Sequence, residues 1–437
     1  MRVLLISHTV FSKTGNMGKT LMGYFEKFGP EEIAQLYVHS EVPTEASACH
    51  RYFRFTDKDA LKSVFLPRVQ GREFGLSDID RHRETPRTDR GVTKKLYQIG
   101  ARRTPMIFAL RNAVWKLSRW NNEKLRGWVR DFDPDVVCFA AGDYGFMYDV
   151  TKTIAAELKK PLVVICVDDF YIYNKNTGSA VGRMVHRDFM RSVHRTMAAA
   201  SEIFTICQPM QEEYGKLFGK PCRVLHTPAS RQSVPVCPEA RQISYIGNLE
   251  PGRYLPLVEL GQALGRIQDP RAPRFIDVYS TEENPSVLKY LTEENGIRFH
   301  GAVSARQVQE IFGSSMAVIH TESFDPEIRQ RTRLSVSTKI PESMMNGPCL
   351  IAYGPEGIAS VDYLKANNAA YVITDRRELD AGLREILTHE QLRRDIVTRA
   401  RALAEENHSV EVNPARVRLW LEGICGAQEE QKLPVSV

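Results

Sequence analysis

The sequence has no paired cysteines and no long apolar run. Its eight cysteines are scattered without a Cys-x-x-Cys pair, and several lie in apolar strand-like runs, where a thiol behaves as a small hydrophobe. This usage predicts a reducing compartment and no structural metal. No apolar run approaches the roughly 20 residues that span a bilayer, and the apolar segment after Met1 and Arg2 is too short for a secretory signal. We therefore expect a cytoplasmic protein, at most peripheral to the inner face of the cell membrane.

Acidic residues are scarce in one segment. Residues 81–130 contain fourteen Lys and Arg but only three acids, although the whole chain carries a net charge of only +6. Such a segment suits nucleic acid, an anionic membrane surface or an acidic acceptor. No nucleic-acid-binding motif accompanies it, so we expect no nucleic-acid partner. A helical pattern over residues 105–131 places Trp115, Trp120 and Trp128 among these cations, either as core residues or as a membrane interface.

The length of the chain and the order of its segments predict an α/β protein of two domains. A chain of 437 residues exceeds one ordinary core. Short apolar runs that suit buried parallel strands alternate with helix-length segments in both halves. We expect two Rossmann-like, doubly wound domains that face each other across a cleft, and the polar segment 65–104 is expected to be a mobile loop. The predicted parts are an N-terminal acceptor-side domain (1–228), a linker (229–241), a C-terminal donor domain (242–406), and a crossover helix with a tail (407–437).

Candidate acceptor-side residues follow two predicted strands of the first half. Asp143 and the pair Asp168 and Asp169 lie beyond the carboxyl ends of these strands, where open α/β sheets bind ligands. A carboxylate there can orient a sugar hydroxyl or act as a general base. The three are therefore catalytic candidates. Because adjacent residues on an extended chain point to opposite sides, one member of the pair is expected to be structural.

A glycine-bearing turn follows the first predicted strand. The letters SKTGNMGKTL resemble a P-loop, but Lys13 stands where the Walker pattern requires a glycine. Gly15 and Asn16 still suit a turn at which the backbone approaches a bound donor closely. The alternative is an ordinary glycine-rich turn with an exposed Lys19.

Residues 335–355 read as loop, helix, strand and turn. Ser337 and Thr338 precede a helix that carries Glu342 in its first turn. The start of a helix offers N–H groups and a positive dipole end to a phosphate, Lys339 adds a mobile cation, and Glu342 suits the paired hydroxyls of a ribose. In the alternative interpretation Thr338 only caps the helix, Glu342 offsets its dipole and Lys339 is solvated.

The second half of the chain carries a likeness to a known family. Three segments in order read YIGNLEPGRYLPL, IRFHGAVSARQVQEIFGSSMAVIHT and STKIPESMMNGPCLIAYGP. They resemble the C-terminal, donor-binding domain of the GT-B glycosyltransferases, most like the family 4 group that works on bacterial surface glycans. The resemblance covers nearly the whole chain, and these segments are its specific part.

The resemblance implies a set of donor-binding residues. Arg253 would supply the cation on the diphosphate, and Glu342 matches the second of the family's paired glutamates, which holds the ribose. Leu334 occupies the position of the first glutamate, which puts the usual contact to the sugar ring in question, and the resemblance implies that Lys339 beside Thr338 compensates. The other implied donor contacts are Gly247 and Asn248 after the first strand of the domain, Thr321 and Glu322 at the nucleotide pocket, and Ser337, Thr338 and Lys339 at the phosphates.

These expectations combine into one function with named alternatives. We expect transfer of a hexose-like unit from a nucleotide-diphosphate sugar to a glycan or lipid-linked acceptor in surface polysaccharide synthesis. Neither a metal nor a cofactor other than the donor is expected, and the stereochemistry is left open. The alternatives are a sugar-nucleotide epimerase or phosphorylase on the same scaffold, a non-catalytic nucleotide-sugar or glycan-binding module, and a P-loop phosphotransferase.

Overall fold

The computed structural model divides the chain into two compact units. The first unit comprises Met1–Leu225 and Pro414–Val437, and the second comprises His226–Asn413. The described residues are 1–13, 16–83, 104–173, 178–232, 240–269 and 272–430.

An eight-stranded sheet organises the first unit. The strands are β1 (Val3–Ser7), β2 (Ile33–Tyr37), β3 (Arg51–Arg54), β4 (Arg72–Phe74), β5 (Val136–Ala140), β6 (Leu162–Cys166), β7 (Glu202–Thr205) and β8 (Cys222–Val224). Their order across the sheet is β4-β3-β2-β1-β5-β6-β7-β8. All neighbouring pairs are parallel except β3 and β4, which are antiparallel. Strands β1, β2, β5, β6 and β7 are buried along their whole length, as strands covered on both faces should be.

Helices flank this sheet. They span Asn16–Tyr24, Asp57–Phe65, Leu76–Arg83, Pro105–Leu117, Glu123–Phe132, Gly145–Leu158, Ala180–Ala199, Gln208–Phe218 and Val412–Glu430. Although the last of these comes after the second unit in sequence, its residues from Pro414 onward belong to the first unit. Its side chains Val417 and Leu421 are buried in the same apolar core as Val3 and Leu5 of β1.

Two predictions about the first unit are wrong in part. The segment 65–104, predicted as a loop, contains strand β4 and the helix Leu76–Arg83. The helical pattern over 105–131 forms two helices, because Asn122 accepts a hydrogen bond from the N–H of Leu125 (3.1 Å) and so starts a second helix. Trp115 and Trp128 are only 3% and 6% exposed, so these two side chains belong to the core.

The second unit is built on six parallel strands. They are β9 (Gln242–Ile246), β10 (Ile276–Tyr279), β11 (Ile297–Gly301), β12 (Ser315–Thr321), β13 (Cys349–Tyr353) and β14 (Tyr371–Ile373). Their order is β11-β10-β9-β12-β13-β14. The helices are Tyr254–Gly265, Pro285–Leu288, Ala305–Ser314, Pro326–Thr332, Lys339–Asn346, Ala359–Ala366, Leu379–Thr388 and Glu390–His408, with 3₁₀ turns at Glu293–Asn295 and Arg376–Glu378. Apolar clusters cover both faces of this sheet.

The strand order places one topological switch point in each sheet. The order reverses between β1 and β5 in the first unit and between β9 and β12 in the second. In open α/β sheets the crevice beyond the carboxyl ends of the strands at such a point is where ligands bind. The predicted fold class, two parallel-sheet α/β domains, is confirmed. In each unit, a ligand site is expected at the carboxyl edge of the sheet.

Candidate active site

Two chain segments meet at the carboxyl edge of the second sheet. The loop after β9 runs from Gly247 to Arg253, and β12 ends at Thr321 with Glu322 next in the chain. The hydroxyl of Thr321 donates to the backbone carbonyl of Arg253 over 3.0 Å. This bond ties the end of one strand to the loop of its neighbour at the switch point.

Glu322 is the centre of a buried polar cluster at this edge. Its side chain is 1% exposed, and its Oε1 accepts from Nη2 of Arg253 at 2.9 Å. Nε2 of His320 lies 3.3 Å from the same oxygen, and Oγ of Ser360 donates to it over 3.4 Å. The second oxygen, Oε2, is buried without a hydrogen-bond partner in the part of the chain that the structure describes.

The ion pair decides the charge state of Glu322. Burial by itself would raise the pKa of this carboxyl group, but the guanidinium of Arg253 and the imidazole of His320 outweigh it and hold the pKa below the usual value. Glu322 is therefore ionised at neutral pH. The contact with Glu322 and the low exposure of the Arg253 side chain, only 15%, together hold the guanidinium in place.

Glycines allow the loop and the carboxylate to pack this closely. Gly252 has φ +66°, a conformation that favours glycine, and a Cβ there would lie 2.6 Å from Cδ1 of Ile328. A Cβ on Gly354, just after β13, would lie 2.9 Å from Cβ of Glu322. The loop and the carboxylate can therefore pack closely only because these two positions carry no side chain.

Asn248 is held by the loop it belongs to. Its Oδ1 accepts from the N–H of Glu250 (3.0 Å), and its backbone carbonyl accepts from the hydroxyl of Tyr245 (2.6 Å). The predicted contact of Asn248 with a diphosphate must therefore come from its side-chain NH₂ group, which an asparagine can donate while its oxygen is engaged. Gly247 leads into this loop, and its N–H donates to the carbonyl of Tyr279 (3.0 Å).

The helix Lys339–Asn346 begins as the sequence predicts. Oγ of Ser337 accepts from the N–H of Lys339 (3.3 Å), while Thr338 makes no side-chain capping bond. Thr338 therefore stands at the N-cap position, but its side chain does not cap the helix as the alternative interpretation expected. Nζ of Lys339 donates to Oε2 of Glu342 (3.2 Å), and both side chains reach solvent.

Leu334 is an apolar core residue. Its side chain is buried, at the position where the resemblance implies a glutamate. A carboxylate at this place in the present fold would be desolvated at high cost. The leucine that replaces the glutamate of the family pattern is therefore part of the apolar packing of the second unit.

The structure distinguishes the two adjacent carboxylate candidates of the first unit, Asp168 and Asp169. Oδ1 of Asp169 accepts from the N–H groups of Tyr171 and Ile172 and from the hydroxyl of Tyr214, and its Oδ2 accepts from the N–H of Tyr173, all at 2.8–3.0 Å. Asp169 is thus the structural member of the pair, and it shapes the turn after β6. Oδ1 of Asp168 accepts from the N–H of Asp169 (2.9 Å).

A stack of rings stands at the switch point of the first sheet. The imidazole of His8, directly after β1, stacks on the ring of Tyr144 with centroids 4.6 Å apart. The guanidinium of Arg111 covers the same tyrosine ring at 3.9 Å. Burial, Arg111 and His39 together lower the pKa of His8 to about 3, so His8 is neutral at physiological pH.

Three side chains of these clusters, His320, His8 and Ser360, were not predicted from the sequence. His320 lies two residues before Glu322 on an extended strand, which places both side chains on one face, so its partnership could have been found from spacing. His8 directly follows the first strand, a position that also marks a site. Ser360 carries no sequence signal, because it is 38 residues from Glu322.

Some predicted features lie outside the described residues. Gly15 falls in a gap, and Asn16 is described only as the first residue of a helix. Residues 84–103 of the basic segment 81–130 likewise lie outside the described ranges. Over the ranges given above, no group of three or more His, Cys, Asp or Glu side chains is arranged to hold a metal ion, and no helix has both the length and the apolar composition needed to cross a bilayer.

Comparisons with known proteins agree on the fold. The profile of a family described as Glycosyl transferase-like matches residues 273–418. No curated protein sequence matches the chain. Solved structures match it over nearly the full length. HepE from Anabaena, crystallised with UDP, has a TM-score of 0.62 at 12% identity, with 97% of this chain and 100% of HepE covered.

Two further structures give the same result. Sucrose-phosphate synthase from Thermosynechococcus elongatus has a TM-score of 0.64 at 10% identity and covers 98% of this chain and 100% of its own. WaaG, a glycosyltransferase involved in lipopolysaccharide biosynthesis, has a TM-score of 0.52 at 11% identity and covers 95% and 99%. At such identities the likeness establishes the fold. The predicted resemblance to GT-B glycosyltransferases is confirmed at the level of the fold, and residues 273–418 are similar to a glycosyl transferase-like domain, as the predicted enzyme class implies.

Proposed function

We propose that this chain, a GT-B protein with a glycosyl transferase-like domain, transfers a sugar from a nucleoside-diphosphate sugar to a hydroxyl of a glycan or lipid-linked acceptor. The donor would bind at the carboxyl edge of the second sheet. UDP is the first nucleotide to test, because HepE is described in complex with UDP and with UDP-glucose. The alternatives, an isomerase of the free donor or a binding module, remain outcomes of the tests below.

One observation carries this proposal. The strand order supports a shared location at the carboxyl edge of the second sheet for the fixed guanidinium of Arg253, the helix start with Lys339 and the solvent-reaching carboxylate of Glu342. The family profile covers the last two of these groups. Cations suit a diphosphate and a carboxylate suits the paired hydroxyls of a ribose. The three groups are thus a complementary set for a nucleoside diphosphate.

The residues of the second unit would stabilise the leaving group. In the transfer, the bond between the anomeric carbon and the diphosphate oxygen breaks, and the acceptor oxygen forms the new bond to that carbon. Negative charge then develops on the departing diphosphate. Arg253, Lys339 and the hydroxyls of Ser337 and Thr338 would stabilise this charge without reorganisation, which is the largest effect available to such a site. Thr321 and Asn248 would keep the loop in place through the bonds described above.

The first unit would provide groups for the acceptor. The acceptor hydroxyl loses a proton as its oxygen attacks, and a carboxylate within reach can accept that proton. Asp143 and Asp168 remain the candidates for this role, whereas Asp169 is committed to four hydrogen bonds within its turn. Gly15 and Asn16 remain proposed donor contacts at the turn after β1.

The acceptor class and the site of action are part of the proposal. The basic composition of residues 81–130 suits an acceptor that is anionic or is held at an anionic membrane surface. We place the enzyme in the cytoplasm, peripheral to the inner face of the membrane, in the synthesis of surface polysaccharide. No cofactor besides the donor and no metal is proposed.

A turnover assay tests the proposed activity. Purified protein is incubated with UDP-, GDP-, ADP- and dTDP-sugars, with and without a membrane lipid extract as acceptor, and the released nucleoside diphosphate is measured. The proposal predicts release of one diphosphate that rises when acceptor is added. Conversion of the donor to an isomeric sugar without release would identify an isomerase instead. Binding without any turnover would favour a binding module.

A further inference from the structure

The helix Ala180–Ala199 of the first unit carries a row of arginines that no acid in the described part of the chain neutralises. Arg183, Arg187 and Arg191 follow one another at intervals of four residues on the helix Ala180–Ala199 and lie on one face of it. Like charges at this spacing destabilise a helix. Among the described residues, neither Arg187 nor Arg191 has a hydrogen-bond or ion-pair partner, and both are exposed. The row therefore lacks counter-charges of its own.

These arginines line a groove against the neighbouring helix Pro105–Leu117. The groove encloses about 470 Å³, and Asn112 and Lys116 of that helix face the arginines across it. Its one acid, Asp188, is already bound to Nζ of Lys116 at 2.8 Å. An anion that entered the groove would meet the arginine row without a competing free carboxylate.

An apolar ridge runs beside the groove. Met106, Leu110 and Leu117 are 65%, 66% and 69% exposed, and at 100° per residue they fall on a face of Pro105–Leu117 next to the one that lines the groove. Met184, on the groove wall, is 60% exposed. The opposite side of the helix holds buried Trp115, so the ridge is not the core-facing side.

We infer that this pair of helices docks on an anionic lipid bilayer, with lipid phosphate groups in the groove and the apolar ridge among the acyl chains. A helix with an apolar face and a cationic face lies in the plane of a membrane interface, and a cation row next to an aliphatic ridge matches the two layers of such a surface. Nucleic acid could meet the arginines through its phosphates, but it would leave the exposed aliphatic ridge without a partner. The inference extends the proposed membrane association by assigning it to the arginines of a second helix, far in sequence from residues 81–130.

Vesicle sedimentation tests the inference. The full chain is mixed with phosphatidylcholine vesicles that contain or lack phosphatidylglycerol, at increasing salt. We expect binding only to the anionic vesicles and a steep loss with salt. At roughly a fivefold effect per cation near the surface, the double variant Arg187→Gln with Arg191→Gln should bind roughly thirtyfold more weakly. The matched control, Arg306→Gln with Arg394→Gln, removes the same charge from exposed pairs of the second unit and should bind as the wild type does.

Further arms separate the outcomes. Leu110→Gln with Leu117→Gln should weaken binding without changing its dependence on salt, since it removes only apolar contacts. Equal binding by the Arg187/Arg191 variant and its control, or no binding of the wild type to anionic vesicles, would overturn the inference. So would binding to a soluble acidic polysaccharide in place of vesicles. UDP affinity should be the same in all these variants, so a failure of the donor proposal would be recognised separately.

Discussion

Glu322 and Arg253 show how single residues define the candidate site. The resemblance to GT-B enzymes selects both, but in separate roles, one at the phosphates and one at the nucleotide pocket. Their ion pair could not be predicted, because 69 residues separate them and only the strand order brings them to the same edge. Their contact makes Glu322 a scaffold for the cation as well as a pocket residue.

Replacing Glu322 with glutamine should destabilise the second unit. Arg253 would keep its buried position but lose its counter-charge, a change that costs about 3–5 kcal/mol when a buried pair is broken. We expect the urea midpoint at pH 7, measured without nucleotide, to fall accordingly. The exposed pair of Arg306 and Glu310 provides the control, because Glu310→Gln should cost at most about 0.5 kcal/mol.

The same variant has a defined dependence on pH. The pKa of Glu322 is lower in the folded protein than the usual 4.5, so its stabilising contribution is present above that pH and is lost as the pH falls below it. The difference between wild type and Glu322→Gln should therefore shrink between about pH 5 and pH 3. A constant difference across this range would mean that folding does not shift the pKa of Glu322.

At the scale of single elements, local signals predict the helix–strand unit of residues 335–355 well. Small polar residues before Lys339, Pro341 in the first turn and Gly347 at the end predict a helix, and the structure has it at Lys339–Asn346, followed by β13. Local signals fail for the segment 65–104. Strand β4 has only three residues and pairs antiparallel with β3, so it shows no hydrophobic alternation that a sequence pattern could reveal.

The sequence alone could not show whether the tryptophans of the basic segment face the core or a membrane. Composition cannot tell a helix whose aromatic residues face lipid from one whose aromatic residues face the core. The structure places Trp115 against Phe146, with ring centroids 4.1 Å apart, and its Nε1 donates to Oδ1 of Asp57 over 2.7 Å. The outward side of the helix carries Met106, Leu110 and Leu117 instead.

Trp115→Ala should therefore act on stability. Loss of a buried tryptophan typically costs about 3–5 kcal/mol, and the Asp57 carboxylate would lose one of its donors. We expect a lower unfolding midpoint of the first unit by tryptophan fluorescence or circular dichroism. Leu117→Ala, on the exposed side of the same helix, should leave this midpoint within about 0.5 kcal/mol. If the two variants had equal effects, Trp115 would not be a core residue.

At the scale of the whole molecule, the alternation of strand and helix patterns is enough to predict two parallel-sheet domains. The strand orders β4-β3-β2-β1-β5-β6-β7-β8 and β11-β10-β9-β12-β13-β14 could not be read from those patterns. They arise from crossover connections, which local sequence does not encode. The orders matter because they decide which loops share an edge. Through them the segments 247–253 and 320–322 meet at one edge, where we propose that residues 337–342 complete the site.

We propose that the carboxyl edge of the second sheet binds a nucleoside diphosphate through Glu342. Thermal stability of the wild type, Glu342→Ala and the control Glu327→Ala is measured with UDP, GDP, ADP, dTDP, CMP and ATP. Glu327 is likewise an acid in the first turn of a neighbouring helix, and each substitution by itself should cost about 0.3–1 kcal/mol. A ligand at a hundred times its Kd adds about 2.7 kcal/mol.

We expect one nucleoside diphosphate to stabilise the wild type and Glu327→Ala, while Glu342→Ala keeps its fold and loses most of this gain. The loss should appear as a lower affinity in a titration with the same nucleotide. Equal stabilisation of Glu342→Ala and the wild type, or stabilisation by ATP alone, would contradict nucleotide binding through Glu342 and place it elsewhere in the chain.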